Sequence, residues 1–321
     1  ALAFRGRLAD ADSGVQIDAS GSLADFSLQV NGRIAEPVTP DGIDLTFELE
    51  GPSMAEAGAM FGVEGLKDVP YTLSGRVTRE GSLVVVEGGR LSVAEGHLSM
   101  DGRLPGFPAI DDGEVKVEGR GLNLSVLGLL LGIDGLPDVP ADIDGELSVG
   151  PDGLELVDLQ ISGPQINAVL NGVLGEFPEL RHTALHARLT GDSMSRINPI
   201  LGVDYLPDEP FELSGSLTAL AQGWRVENAR LASEHVELEL GAELDRLVDP
   251  QSVRGSVRLT VPDLPATLAA YGLESPGVKR AAFAVSGDAR MVQGGFEVSD
   301  MVGRLGGWEF TGGGLLSAAG D

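Results

Sequence analysis

The chain has 321 residues and no cysteine, and its 49 acidic and 22 basic side chains give a formal net charge of −27. This charge excludes a nucleic-acid binder, which needs a basic stripe for phosphates, and it opposes lying flat on an anionic membrane surface. The lack of cysteine excludes disulfide scaffolds and thiolate metal sites. Hydrophobic residues make up 42% of the chain but aromatic residues only 5%, so any apolar surface is mainly aliphatic.

A nine-residue landmark recurs along the chain at a spacing of seventy residues. It begins at Gly62, returns at Gly132 and Gly202, and reappears in eroded form at Gly272. Several strand-like segments keep the same register, which is the signature of tandem repeats. We therefore predict one continuous repeat array. Its repeats span residues 1–70, 71–140, 141–210 and 211–280, followed by a partial repeat at 281–321.

Within each repeat the apolar and polar residues alternate, as they do in strands that bury one face. Residues 43–49 and 236–240 show this pattern most clearly. Short turns at 79–81, 150–153 and 221–223 predict hairpins, so neighbouring strands should pair antiparallel. We expect about five strands in each repeat, and hence a mainly β fold.

One short helix is predicted in each repeat, and every candidate helix ends at or beside the landmark glycine, as a helix stop should. Ser53, Asn123 and Asp263 are candidate N-caps, because a short polar side chain can accept from the free amides of the first turn. The candidate helices span 53–61, 123–131, 193–201 and 263–271.

So little helix would leave one aliphatic face of a long, twisted sheet uncovered. A sheet of about twenty strands curls, and curling around the apolar face would make an elongated groove that suits acyl chains. Alternating strands fit equally well a series of closed, dry β units, one per repeat, so periodicity leaves both interpretations open. The candidate groove residues are Leu45, Phe47, Leu98, Met100, Val115, Val117, Leu170, Leu185, Leu238, Leu240, Val257 and Leu259.

A recurring pattern of two glycine-containing strands and a glycine-ended helix resembles the bacterial AsmA-like superfamily, which includes TamB- and YhdP-type proteins. Residues 71–77 with 86–91, residues 211–217 with 226–231, and residues 296–306 carry the resemblance. It implies a periplasmic protein, anchored in the inner membrane, whose β-groove conducts phospholipids towards the outer membrane. The chain opens in mid-pattern without an initiator methionine, so we expect a segment of a longer protein whose anchor lies outside it.

Patterns of catalytic or metal-binding residues are weak. His182 and His186 have the spacing of a helical metal pair, but they lie in an alternating, strand-like segment without an obvious third ligand. Two acidic clusters lack the calcium-binding loop pattern. We therefore predict no catalytic residue, no metal, no cofactor and no enzyme activity. The clusters are Asp10 with Asp12, and Asp138 with Asp142, Asp144 and Glu146.

Two functions from different classes remain open. The first is a conduit that binds phospholipid acyl chains, with membrane contact through other parts of a longer protein. The second is a structural β-repeat array, such as a surface stalk or adhesin, without a ligand. Continuity favours the conduit, because the repeat register holds and no Pro-rich or Ser-rich linker separates the repeats. A test for bound lipid would distinguish the conduit from the structural array.

Overall fold

A computed structural model describes most of the chain, and the fold is mainly β. All nineteen described strands belong to one antiparallel sheet, which confirms the predicted strand-rich architecture. The chain divides into two units, one formed by Ala1–Pro164 with Val173–Glu179 and the other by Gln165–Gly172 with Leu180–Asp321. The described residues are 2–11, 14–23, 26–37, 41–60, 68–93, 96–106, 113–124, 139–150, 153–164, 166–175, 180–198, 206–247, 250–273, 280–292 and 295–317.

In the first unit ten strands follow one another, and each pairs antiparallel with its neighbour in sequence. These strands are β1 (Leu2–Ala11), β2 (Gly14–Leu23), β3 (Phe26–Glu36), β4 (Asp41–Gly51), β5 (Tyr71–Glu80), β6 (Leu83–Val93), β7 (Gly96–Leu104), β8 (Gly113–Asn123), β9 (Pro140–Gly150) and β10 (Gly153–Ser162).

The second unit holds a run of eight strands that also pair antiparallel with their neighbours in sequence. These strands are β12 (Ala184–Gly191), β13 (Phe211–Ala219), β14 (Trp224–Ser233), β15 (Glu237–Leu244), β16 (Val253–Val261), β17 (Phe283–Val292), β18 (Gly295–Leu305) and β19 (Trp308–Ser317). The remaining strand, β11 (Ile166–Leu174), has its residues up to Gly172 in the second unit.

The number of strands differs from the prediction of about five per repeat. The described residues place four strands in each of the first four seventy-residue segments. The physical reason is strand length. These strands run from 8 to 11 residues, longer than the usual five or six, so each one uses more of the chain than the prediction assumed.

Short helices follow β4, β12 and β16, as the repeat predicted. They are α1 (Met54–Met60), a 3-10 helix (Met194–Ile197) and α2 (Leu264–Ala270). Ser53 Oγ accepts a hydrogen bond from the Glu56 amide at 3.2 Å, so this predicted N-cap is confirmed. Of the helix predicted at 123–131, the structure describes only the first two residues. Asn123 is the last residue of β8. The rest of this predicted helix lies outside the described residues.

Helix α2 shows the complete set of predicted end signals. Asp263 accepts a hydrogen bond from the Ala266 amide at 3.4 Å. At the other end Gly272 adopts a φ of 71°, and the Leu273 amide donates to the Leu268 carbonyl at 2.7 Å. This is the bonding expected where a left-handed glycine stops a helix. Among the described residues, no helix combines the length and the apolar character needed to cross a membrane.

Removing the α2 cap gives a testable prediction. Replacing Asp263 by alanine removes the acceptor for the Ala266 amide and the ion pair with Arg280 at 2.9 Å. We expect a loss of about 0.5–2 kcal/mol in the stability of the second unit, the usual cost of an N-cap deletion. Urea unfolding monitored by circular dichroism measures the loss. Asp263→Asn is the matched control, because asparagine caps as well as aspartate, and an equal loss in both variants would contradict the capping role.

A bulge interrupts the same hairpin in four successive segments. The register shifts between β5 and β6, β9 and β10, β13 and β14, and β17 and β18. Each bulge holds one residue with a positive φ of a type that tolerates it, and each faces a glycine on the neighbouring strand. The bulge residues are Gly88, Asp158, Asn228 and Asp300, and the facing glycines are Gly75, Gly145, Gly215 and Gly287.

The facing glycine is required by the close approach of the two backbones. A Cβ at Gly215 would lie only 3.0 Å from the Ala229 Cα, and one at Gly145 only 2.8 Å from the Leu159 Cα. Bulges of this kind increase the local twist of a strand and bend it. The bend is therefore built into this hairpin, and register shifts also occur between β6 and β7, β8 and β9, β14 and β15, and β18 and β19.

One backbone hydrogen bond closes each of four connections between strands. The Met54 amide donates to the Val69 carbonyl at 2.9 Å, and the Met194 amide donates to the Glu209 carbonyl at 2.8 Å. The amides of Leu124 and Leu264 make the corresponding bonds at 3.0 and 2.9 Å. These four donors are spaced by seventy residues, so the connection returns to the start of the next strand in the same way each time.

Candidate functional site

The aliphatic residues of the first unit form rows that run across the strands in register. Five consecutive strands, β3 to β7, contribute a leucine at the same height, and we call these residues the first leucine row: Leu28, Leu49, Leu73, Leu91 and Leu98. A parallel row of leucine, valine and glycine residues crosses β4 to β10: Leu45, Val77, Val86, Gly102, Val115, Leu147 and Leu156.

The second unit repeats this arrangement. The second leucine row crosses β12 to β16 and consists of Leu189, Leu213, Leu231, Leu238 and Leu259. Because successive side chains on a strand point to opposite faces, the rows of each unit lie on one face, which we call the aliphatic face of that unit. The row across the seven strands β4 to β10 measures about 29 Å at the usual strand spacing.

All twelve predicted groove residues lie on described strands. Eleven of them fall on the paired strands that form the aliphatic faces, and Leu170 lies on β11. Met100 is paired with Val117, Leu238 with Leu259, and Leu240 with Val257. Their exposure ranges from 7% for Val117 to 39% for Leu240, with the others in between. Most of these side chains are therefore half-buried.

In the part of the chain that the structure describes, the helices pack on one end of the aliphatic faces. Ala57 of α1 is buried with Tyr71 and Val93, and this cluster packs on Leu49, Leu73 and Leu91 of the first leucine row. In the second unit Met194 and Phe211 are buried against Leu189, Leu213 and Leu231 of the second leucine row. Residues farther along the strands, such as Leu240 and Val257, are not in either cluster.

The opposite face of each unit carries cross-strand ion pairs. In the first unit Arg76 binds Asp44 at 2.7 Å and Glu87 at 3.2 Å. In the second unit Glu243 accepts from Arg225 at 2.9 Å and from Arg254 at 3.0 Å. Exposed pairs of this kind add little stability individually. They do keep this face hydrated and charged, so the two faces of the sheet differ sharply in chemistry.

The ion pairs of Glu243 predict a pH dependence. Hydrogen bonds from Arg254 and Arg225 hold the pKa of Glu243 below its ordinary value of 4.5. Because the folded-state pKa is the lower one, the stabilisation is complete above pH 4.5 and is lost as the pH falls through the folded-state pKa. We expect the urea midpoint of the wild type to fall more steeply below that pH than the midpoint of Glu243→Gln. If the urea midpoints of the two proteins fell equally with decreasing pH, this dependence would be refuted.

Three depressions described in the structure lie among residues of the charged faces. The first, about 630 Å³, is lined by residues that include Arg225, Glu243, Arg254 and Arg290. The second, about 600 Å³, includes Arg230, Glu239 and Arg258. The third lies in the first unit and includes Arg103, Lys116 and Glu146. Charged side chains contribute to the lining of each depression, and the predicted groove residues Leu240 and Val257 also line the second and Val115 the third.

The predicted weak metal candidates do not come together among the described residues. His182 lies in the turn before β12, and the exposed His186 lies on that strand, 3.3 Å from Ser216 Oγ. In the acidic cluster near β9, Asp142 accepts from Arg120 at 3.1 Å and from the Gly121 amide at 2.9 Å. Asp12 and Asp138 lie outside the described residues.

A different group was missed by the reasoning from sequence. Glu209 is buried directly before β13, and its carboxylate bonds to the ring of His235 in the turn between β14 and β15. The sequence contained a signal for this group, because Glu209 replaces the valine found seventy and 140 residues earlier, at positions 139 and 69. An acidic side chain at a position that is apolar in other repeats indicates a polar partner inside the protein.

Comparisons with protein-family models, with curated proteins and with solved structures give no match to this chain.

Proposed function

We propose that the chain is a non-catalytic segment of a phospholipid conduit, in which the aliphatic faces hold acyl chains. The observation that carries this proposal is the pair of leucine rows and their neighbouring rows, which continue in register from strand to strand. Among the described residues, the short helices pack against one end of these faces. A continuous apolar track suits a ligand that is long and itself apolar.

The energetics favour such a ligand. Each methylene group removed from water contributes about 0.8 kcal/mol, so several methylene groups in contact with one row hold a chain firmly. Uncovered apolar patches of more than a few hundred Å² are uncommon on soluble proteins and mark interaction surfaces. On the aliphatic face Leu28 is 41% exposed and Leu240 is 39% exposed. Lipid contact would bury the exposed parts.

The charged faces fit the other half of a phospholipid-handling role. Arginine and carboxylate pairs keep these faces in water, and the net charge of −27 opposes adhesion to anionic bilayers. Acyl chains would therefore be retained on one face, while the polar headgroups stay in contact with solvent.

A ligand-free structural array is the second candidate. It is favoured by the three depressions, because charged side chains contribute to the lining of each one. In that case the half-buried aliphatic residues pack against each other and hold no lipid. The array would serve only to set the reach of a longer protein.

Native mass spectrometry tests the conduit directly. The chain is produced in a bacterial periplasm, and its bound molecules are identified by lipid extraction after purification. The conduit predicts co-purifying phospholipid that exchanges with added phospholipid vesicles. A folded protein that carries no lipid, and takes none up from vesicles, would overturn the conduit and support the structural array.

We also propose that the chain works in the periplasm, as part of a longer protein anchored in the inner membrane. The support is the resemblance to the AsmA-like superfamily and the absence of cysteine, which suits an oxidising compartment. Cell fractionation of the native protein tests the location. Recovery in the cytosol would contradict it.

A further inference from the structure

A carboxylate occupies a buried position that two other repeats fill with valine. Val69 and Val139 precede strands β5 and β9 in the same way that Glu209 precedes β13. Glu209 is only 6% exposed. Burying a carboxylate costs several kcal/mol unless the charge is compensated, so this exchange of an apolar for an acidic side chain calls for a partner.

The partners that the described residues provide are incomplete. One carboxylate oxygen of Glu209 bonds to Nδ1 of His235. The other oxygen, Oε1, is buried and has no hydrogen-bond partner among the described residues. An unsatisfied buried acceptor costs about 1–3 kcal/mol. The histidine alone therefore does not account for the buried carboxylate.

A third ligand atom lies close by. Glu234 is exposed in the turn beside His235, and one ligand atom from each of Glu209, Glu234 and His235 lies within 4.8 Å of the other two. Ligand atoms around a tetrahedral zinc ion lie about 3.4 Å apart for bonds of about 2.1 Å. A small movement of the exposed Glu234 side chain would bring its carboxylate to the shorter separation that a zinc ion needs.

Neighbouring elements hold the backbone of this group in place. The Met194 amide of the 3-10 helix donates to the Glu209 carbonyl at 2.8 Å. Thr267 Oγ1 of α2 donates to the His235 carbonyl at 3.1 Å, and Ser233 and Val236 bond to each other across the turn at 2.9 Å. The positions of the potential ligands are therefore set by three elements of the second unit.

We infer that Glu209, Glu234 and His235 bind a divalent transition-metal ion of the zinc class. One imidazole nitrogen and two carboxylates are ligands that such ions accept, whereas calcium and magnesium prefer oxygen ligands alone. A cation next to Glu209 would neutralise the buried charge and give Oε1 its missing partner. Three protein ligands leave at least one coordination position for water. The ion ties the start of β13 to the β14–β15 turn.

Isothermal titration with zinc chloride tests this site on the complete chain. The wild type should bind one equivalent of zinc above the weak background of its surface carboxylates. Glu209→Val and His235→Ala should each weaken that binding at least tenfold. His97→Ala is the matched control, because His97 is an exposed histidine that bonds to Ser92, and it should bind zinc like the wild type.

A thermal readout separates loss of the site from loss of the fold. Valine occupies the equivalent position in two other repeats, so Glu209→Val should fold, and its melting temperature without metal should equal or exceed that of the wild type. Zinc should raise the melting temperature of the wild type and of His97→Ala, because a ligand of the native state stabilises it. It should not raise that of Glu209→Val.

Two results would overturn the inference. One is a wild type that binds zinc no better than the Glu209→Val, His235→Ala double variant. The other is unchanged binding in either single variant. In both cases the Glu209–His235 pair is a structural hydrogen bond without a metal. The assay uses no lipid, so its outcome is independent of the proposed conduit.

Discussion

Replacing Leu240 and Val257 by glutamate should remove bound phospholipid from the chain while leaving it folded. The two residues are paired on β15 and β16, and the 39% exposure of Leu240 leaves room for a larger polar side chain. Two carboxylates would lie where the proposed acyl chains lie. The loss of two methylene contacts, at about 0.8 kcal/mol each, already weakens binding about tenfold. We therefore expect at least a tenfold drop in phospholipid per chain, measured by lipid extraction and native mass spectrometry.

The matched control adds the same charge to the opposite face. Ser214 is paired with Arg230, and Ser286 with Arg258, on the charged face of the second unit. Replacing both serines by glutamate should leave lipid binding unchanged. Circular dichroism and thermal unfolding show whether each variant is folded. Unfolding of Leu240→Glu, Val257→Glu would mean that this part of the aliphatic face is a packed core, and an unchanged lipid content in a folded variant would contradict the acyl-chain site.

Replacing Gly32 by alanine should destabilise the first unit strongly. Gly32 lies inside β3 with a φ of 148°, and a Cβ at this position would lie 2.1 Å from the carbonyl oxygen of Asp44 on β4. An L residue in such a conformation costs about 1–3 kcal/mol, and the clash displaces the paired strand as well. We expect a loss of at least about 2 kcal/mol. The shift of the urea midpoint and faster hydrogen exchange in β3 and β4 measure it.

The repeat itself supplies the control for Gly32→Ala. Gly102 occupies the equivalent position on β7 without a positive φ. Its nearest atom to a new Cβ is a Val115 methyl group at 3.1 Å, and the fourth copy of the position is already alanine, Ala242. Gly102→Ala should therefore cost less than about 1 kcal/mol. An equal loss in both variants would show that backbone conformation does not govern this position.

Local structure could be predicted well from the sequence. Alternation of apolar and polar residues located the strands, because side chains on a strand alternate between two faces. Helices α1 and α2 lie within their predicted ranges, and Ser53 and Asp263 cap them as expected. The described residues show four strands per seventy-residue segment where about five were predicted, because alternation indicates which face a residue takes but does not mark where one strand ends and the next begins.

The chemistry of the two faces was harder to predict. The αL residues of the bulges, such as Asn228 and Asp300, have no distinct signal in a single strand, yet they shift the register by one residue. The ion pairs depend on that register, since a slip of one residue moves each side chain to the other face. Pairing of Arg225 with Glu243 therefore follows from the bulged hairpins and could not be read from either strand alone.

The sequence by itself determined that the chain is mainly β and that its strands pair antiparallel. These properties are local, because alternation and short turns act within about ten residues. The tertiary structure decided which side chains meet across strands, including the continuous leucine rows. It also placed Glu209 beside His235, twenty-six residues away in the chain. Such contacts depend on the register of every intervening hairpin, and that register is set by turns and bulges whose effects combine along the chain.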